Sequence, residues 1–213
     1  MDGVLVINKP KDYTSHDVVA VLRKVLSTKK VGHTGTLDPN ATGVLPILVG
    51  QGTKLSKYLI EHDKTYIATL KLGKKTDTGD SSGNVIEEDE RNVREYDIYP
   101  STKQNVSNKS LQQTLETFIG KQKQIPPMYS AIKVEGKKLY EYARQGVTIE
   151  NKPRDIEIYN IELKNICDNE ITFEVSCSKG TYIRVLCEDI ARELGTVRTY
   201  ERIAKNDFSV NLR

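Results

Sequence analysis

The strictest constraint in this chain is a period of two residues. In KTYIATLKLG, Tyr66, Ala68, Leu70 and Leu72 fall on one side, and Ile67, Thr69 and Lys71 on the other. That is the pattern of a strand with one buried face. Ile171, Phe173, Val175 and Cys177 repeat it in EITFEVSCS, and RDIEIYNIEL just before it reads as its neighbour. GVLVINKP reads as a further strand, halted by Pro10. Such segments must form a sheet and cover one of its faces.

Three stretches have the helical period that could cover it. TSHDVVAVLRKVL carries Thr14 and Asp17 at capping-box spacing, and aligns Val18, Leu22, Val25 and Leu26. SLQQTLETFIG (110–120) turns Leu111, Leu115 and Phe118 inward, with Gly120 as its stop. GTYIRVLCEDIARELG places Ile183, Leu186, Ile190 and Leu194 on one side, with Gly195 as its stop. Strands mixed with a few helices predict an α+β fold with a mainly antiparallel sheet. No repeat, low-complexity tract or clear linker divides the 213 residues. Residues 88–109 are polar and read as a surface excursion.

Hydrophobic residues make up 37% and charged residues 29%, which excludes a disordered chain. A formal net charge of +3 permits a nucleic-acid partner without demanding one. No apolar run reaches the roughly 18 residues of a membrane span, and the N-terminus lacks a signal peptide's pattern, so a cytoplasmic protein is expected. Cys167, Cys177 and Cys187 fit neither a zinc pattern nor a disulfide framework and read as reduced, mostly structural thiols. His16, His33 and His62 lack metal-ligand spacing, so no metal is expected.

Three segments are candidates for chemistry. VGHTGTLDPNATGVLPI (31–47) is too rich in glycine and threonine for a plain helix or strand. By local chemistry alone, Asp38 before Pro39 favours a turn, and His33 is uninformative. The run lacks the phosphate-loop and dinucleotide glycine patterns. SCSKGTYIRVL is a strand, a Lys-Gly turn and a helix start, with Arg184 in the first helical turn. A cation there opposes the helix dipole, so Arg184 is either a surface residue or is held by a buried carboxylate or an RNA phosphate. Residues 121–146 mix six basic residues with three tyrosines and a Pro-Pro pair, which suits phosphates and splayed bases, or simply a charged surface. KKTDTGDSSGN between them reads as turns.

NKPKDYTSHDVV, KVGHTGTLDPNATGVLP, KTYIATLKLG, GKKTDTGDSSGNV, QIPPMYSAIKVEGKKLYEYARQG and SCSKGTYIRVLCEDIARELG together resemble the TruB family of tRNA pseudouridine synthases, in family order and over most of residues 5–195. The resemblance implies the pseudouridine synthase fold: a central, mixed, largely antiparallel sheet with flanking helices and an RNA-binding cleft. It implies an isomerase that flips a uridine of the tRNA T loop (position 55 by tRNA convention) and rejoins the base through C5, without metal or organic cofactor. The expected partner is the tRNA T stem-loop and the expected state a monomer.

The resemblance also assigns roles. Asp38 matches the essential aspartate, Arg184 the arginine paired with it, and Tyr66 the tyrosine that stacks on the target base and is a candidate base toward the sugar. Tyr182 matches a residue lining the uracil pocket, and His33 the histidine that pushes into the RNA. Lys9 and Pro10 match a motif supporting the active-site loop, and residues 121–146 a mobile RNA-gripping insertion. Two positions depart: Tyr200 stands where a leucine usually covers the base, and Asp12 where glycine is frequent. The chain ends at Arg213, so the expectation is a catalytic domain over 1–213 without the C-terminal PUA-type domain of many relatives, and with weaker tRNA affinity. Two rivals are a non-catalytic RNA-binding module and a guide-RNA-dependent relative of the family.

Overall fold

The computed structural model describes residues 1–59, 62–88, 107–167, 169–194 and 198–207, with 107–110 and 198–207 described by backbone alone. The main sheet runs β1 (Gly3–Lys9), β3 (Thr42–Val49), β12 (Arg198–Asp207), β4 (Lys64–Leu72), β11 (Glu170–Cys177), β10 (Arg154–Cys167) and β7 (Gly120–Gln124). A further short strand, β2 (Val31–His33), pairs with β3. Among the described residues every pairing in this sheet is antiparallel but one: β12 meets β3 in parallel, Ala204 beside Thr42 and Lys205 beside Gly43. The mixed, largely antiparallel sheet expected from the sequence is present.

Its core is written by the two-residue period. Leu70 lies opposite Ile171, Ala68 opposite Phe173 and Tyr66 opposite Val175, so these side chains share one face. All but Tyr66 are buried in the hydrophobic core; Tyr66 is partly buried at the end of the row. The opposite face is polar: Thr65 and Ser176 are hydrogen-bonded at 2.9 Å, Thr69 and Thr172 at 3.0 Å, and Lys71 pairs with Glu170 at 3.8 Å. A slip of one residue would exchange these faces, so the register is set by burial. It also fixes where the apolar row ends, which is at a tyrosine.

Helices cover the apolar face. α1 (Ser15–Val25) packs against β2, α3 (Ser107–Glu116) against β10, and α5 (Ile183–Glu193) against β12 and β4. A 3-10 helix (Gly50–Leu55), two short helices, α2 (Ser56–Leu59) and α4 (Leu139–Ala143), and two small hairpins, β5 (Lys74–Thr76) with β6 (Val85–Glu88) and β8 (Lys133–Val134) with β9 (Lys137–Lys138), complete the described elements. The Thr14–Asp17 capping box is formed: the Asp17 N–H donates to the Thr14 hydroxyl at 3.0 Å, and the Thr14 N–H donates back to the carboxylate at 2.8 Å. Such a cap contributes about 1 kcal/mol.

Four details differ from the sequence reading. Val25 is 70% exposed, because the buried face of α1 turns on Val18 and Val19, with Leu22 beside them. Gly120 does not stop α3. That helix ends at Glu116 in i→i+3 hydrogen bonds (Phe118 N–H to the Leu115 carbonyl, 3.1 Å), and Gly120, at φ +111°, opens β7. Residues 121–124 therefore belong to the main sheet and not to a separate insertion. The tail of the 31–47 run is also regular: residues 42–49 form β3, with Pro46 inside it. On one side of β3, β12 pairs only with residues 42–43 and β2 only with 47–49. Pro46 falls between them, and its carbonyl accepts the Thr34 N–H at 3.2 Å. Cys177 and Cys187 are buried, Cys167 is exposed and none of the three forms a disulfide, in keeping with the reading of reduced, mostly structural thiols. Gly195 and most of the 88–109 stretch lie outside the described residues.

Phe173 is fully buried between Ala68 and the helices. Phe173→Ala should lower unfolding stability by about 3–5 kcal/mol, read as a lower urea midpoint at unchanged slope.

Candidate active site

The loop carrying Asp38 runs from Thr34 to Ala41, between β2 and β3, and is tied down at three points. Lys9 ends β1 and is fully buried. Its ammonium donates to the carbonyls of Pro10 (2.9 Å), Tyr13 and Pro39 (3.1 Å). The Asp12 N–H reaches the same Pro39 carbonyl at 2.9 Å. From α1, the Ser15 hydroxyl accepts the Leu37 N–H at 3.0 Å. The residues on either side of Asp38 are thus fixed from the N-terminal segment. Burial lowers the Lys9 pKa, while the nearby carboxylates, Asp38 foremost, act to raise it. Asp12 adopts φ +68°, the left-handed region, which explains why glycine suits this position and why an aspartate, tolerant of that conformation, can replace it.

Asp38 faces Arg184 across the cleft. The guanidinium contacts the carboxylate through two edges, Nε to Oδ2 at 3.0 Å and Nη2 to Oδ1 at 3.2 Å, a two-point geometry that lysine cannot make. Its remaining hydrogens reach backbone: Nη2 donates to the Tyr129 carbonyl at 2.7 Å and Nη1 to the Thr78 carbonyl at 3.2 Å. One side chain at the second position of α5 therefore joins the 34–41 loop, the turn between β5 and β6, and the segment after β7. Arg184 is 6% exposed and Asp38 33%, so the cation is buried and the carboxylate opens toward solvent. The cation that the helix dipole disfavours is compensated by this acceptor set, the second of the two alternatives left by the sequence.

The turn that supplies the Thr78 carbonyl is itself rigid. Asp80 is 6% exposed. Its carboxylate accepts the Thr78 hydroxyl at 2.8 Å and the Ser82 N–H at 2.9 Å. A Cβ on Gly83 would come within 2.3 Å of the Thr78 hydroxyl oxygen, so only glycine lets the turn close.

Tyr66 and Tyr182 border the Asp38–Arg184 pair. Burial, then the neighbouring Cys177 and Asp38, raise the Tyr66 pKa, so its phenol stays protonated near neutrality and can stack or donate. Tyr182 caps the N-terminus of α5, and burial raises its phenol pKa also. Its backbone is clamped by one side chain that the sequence reading missed. Gln124, buried at the end of β7, accepts the Tyr182 N–H at 2.8 Å and donates to the Tyr182 carbonyl at 3.1 Å. A glutamine that matches backbone groups of a distant residue leaves no local signal. The same holds for the Thr78 and Tyr129 carbonyls.

His33 stands at the end of β2, apart from the ion pair. Its Nδ1 lies 2.8 Å from the Gly35 carbonyl. A carbonyl only accepts, so in the neutral ring Nδ1 carries the hydrogen and Nε2 the lone pair. His16 meets this ring edge-on, with centroids 5.0 Å apart. Tyr200 lies on β12 opposite Leu70, and its side chain is outside the described residues. In the 125–146 segment the expected mixture of cations and tyrosines is present as stacked pairs: Lys138 and Arg144 sit 5.4 and 5.3 Å from the Tyr140 ring, and Lys137 5.9 Å from Tyr142.

Known proteins share these features of sequence and fold. Residues 23–183 match the family described as TruB family pseudouridylate synthase (N terminal domain). A tRNA pseudouridine synthase B from Alkaliphilus oremlandii is 50% identical over 99% of this chain and 67% of its own length. The enzyme of that name from Oceanobacillus iheyensis is 49% identical over 92% and 61%, and that from Clostridium kluyveri 46% identical over 99% and 69%. The chain thus spans about two thirds of the length of these relatives. Among solved structures, a chain of a Cbf5-Nop10-Gar1 complex superposes with a TM-score of 0.70 at 27% identity, over 96% of this chain and 48% of that one.

Burial lowers the His33 pKa below its ordinary 6.5; the Gly35 carbonyl opposes that shift and His16 adds to it. The unfolded chain therefore binds this proton more readily than the folded one, and stability must fall as pH drops through and below 6.5. In urea unfolding between pH 5 and 7.5, His33→Gln should flatten that part of the pH dependence; an unchanged slope would show that His33 does not carry it.

Proposed function

The chain belongs to the TruB family of pseudouridylate synthases, and from that premise we propose that it converts uridine to pseudouridine in the T loop of tRNA, at position 55 by tRNA convention, with Asp38 as the reacting residue. The observation that carries this reading is the Asp38–Arg184 pair: a carboxylate open to solvent on one side and gripped at both oxygens by a buried guanidinium.

The chemistry asks for such a group. The bond from uracil N1 to ribose C1′ breaks, a bond from C5 to C1′ forms, C5 loses its proton and N1 gains one. Atoms and electrons balance within the nucleotide, so neither oxidant nor cofactor is needed. A carboxylate beside the glycosidic bond can form a covalent intermediate or stabilise positive charge on the sugar, and either use requires it ionised and fixed in place. Arg184 fixes it in place by holding both oxygens. Tyr66, protonated and at the end of the core row, is suited to stacking on the extruded base. Tyr182 lines the pocket, and His33 fills the place the base leaves, offsetting an unstacking cost of a few kcal/mol. Lys9 acts at one remove, by holding the Pro39 carbonyl. The stacked cations and tyrosines of residues 125–146 suit phosphates and bases of the T stem-loop. We read residues 1–213 as one catalytic domain, working as a monomer in the cytoplasm. Among the described residues no helix is long and apolar enough to cross a membrane.

Incubation of an unmodified tRNA transcript with the protein, without guide RNA, should yield pseudouridine at one T-loop position by chemical mapping. Asp38→Asn should abolish conversion and leave RNA affinity within a few-fold. Full activity of Asp38→Asn would remove Asp38 from the reaction, and RNA binding without conversion by the wild type would make the protein a binding module.

A further inference from the structure

The alternation that puts Tyr66 at the end of the core row runs one step further, to a lysine. Lys64 opens β4 opposite Cys177, so it shares the face of Tyr66, Ala68 and Leu70. An ammonium on the apolar face of a sheet calls for a reason. Three neighbours fix its place. It donates to the His62 carbonyl at 2.8 Å. Its stem lies along the 34–41 loop, with Cε 4.0 Å from where a Cβ on Gly35 would stand, and the Gly35 carbonyl is the group that holds His33. Lys179, in the turn that leads from β11 to Tyr182, is close enough for its charge to act on Lys64.

The charge is not matched within the protein. Among the described residues no carboxylate forms an ion pair with Lys64. Its chain neighbour Asp63 accepts the Tyr159 hydroxyl at 2.9 Å. Burial lowers the Lys64 pKa and Lys179 adds to that shift, against the opposing effects of Cys177 and Asp63. The side chain is only partly buried, so its ammonium can be reached from the cleft. The turn carrying Lys179 is itself fixed: the Thr181 hydroxyl donates to the Ser178 carbonyl at 2.9 Å, and the Ser178 N–H to the Glu157 carbonyl at 2.8 Å. Two like charges are thus held near each other beside Tyr66, and an anion there would relieve both the burial and the repulsion.

We infer that Lys64, seconded by Lys179, is a substrate-binding residue that holds an RNA phosphate next to the target nucleotide. This rests on the isomerase reading above and adds to it an anchor for the backbone. Two residues of a strand span about 6.6 Å, so a base stacked on Tyr66 has its own sugar-phosphate chain within reach of the Lys64 stem. Lysine offers only donors, and a phosphate oxygen is the anionic acceptor that RNA supplies in that position. Lys64 also stands between Tyr66 and the Gly35 corner that orients His33. Gripping the backbone there fixes the strand at the point where the base leaves its stack.

The test compares wild type, Lys64→Gln and Lys64→Arg on T-loop stem-loops, either unmodified or with one uncharged methylphosphonate linkage placed in turn on each side of the target uridine. Lys64→Gln should weaken binding roughly tenfold at low salt and lessen the slope of log affinity against log salt by about 0.7–0.9. Lys64→Arg, which keeps the charge, should restore most of both. One methylphosphonate linkage should cost the wild type several-fold in affinity and kcat/KM, and cost Lys64→Gln distinctly less. A lysine that merely props the loop would move neither the salt slope nor the linkage dependence. An unchanged slope in Lys64→Gln, or equal linkage penalties in both proteins, would overturn the contact while leaving the isomerase reading intact. A wild type that binds the RNA but converts no uridine would overturn the isomerase reading, and with it the placement of this phosphate beside the target.

Discussion

Everything in the cleft depends on one buried guanidinium. Arg184 contacts four oxygen atoms on three segments that the sheet alone would leave apart: the 34–41 loop, the turn before β6 and the strand exit after β7. A buried ion pair is a poor source of stability, since desolvation offsets most of its attraction. Its value here is geometric. Removing Asp38 would strand the buried guanidinium, at a cost of about 3–5 kcal/mol. The three loops cannot relax independently, and the carboxylate keeps one orientation.

The pair could not do this without a rigid frame on both sides. Behind Asp38, Lys9 spends three donors on carbonyls and Ser15 receives the Leu37 N–H, so the loop is fixed before any substrate arrives. Behind Arg184, the start of α5 is set by the Gln124 clamp on Tyr182 and by the apolar stripe of Ile183, Leu186 and Ile190. Such preorganisation suits the proposed isomerisation, because no energy is then spent on reorienting dipoles during the step.

Much of this was legible in the sequence, for identifiable reasons. The alternation in 64–73 and 170–177 set the strands, their faces and the position of Tyr66, because burial enforces a strict period. The unfavourable cation at the start of α5 announced an acceptor. The Thr14–Asp17 spacing gave the cap. What stayed hidden depends on tertiary approach. Gln124, Thr78 and Tyr129 act through amide or backbone groups that any sequence contains. Val25 is exposed because a helix's buried stripe can rotate by one residue without changing its pattern. Gly120 looks like a helix stop but begins a strand, and Pro46 hides a strand whose pairing leaves room for it. Asp12 departs from glycine in residue type and keeps the glycine-like backbone.

The central claim is that Arg184 acts by two-point geometry and not by charge alone. It is tested most directly by the single-turnover rate of Arg184→Lys on a T-loop stem-loop, beside its equilibrium affinity for the same RNA. Lysine keeps the charge but cannot span both Asp38 oxygens and two carbonyls. The account predicts a rate at least 100-fold below wild type, of the order of 3 kcal/mol in the barrier, with affinity changed only a few-fold. A lysine variant that reacts at the wild-type rate would contradict it.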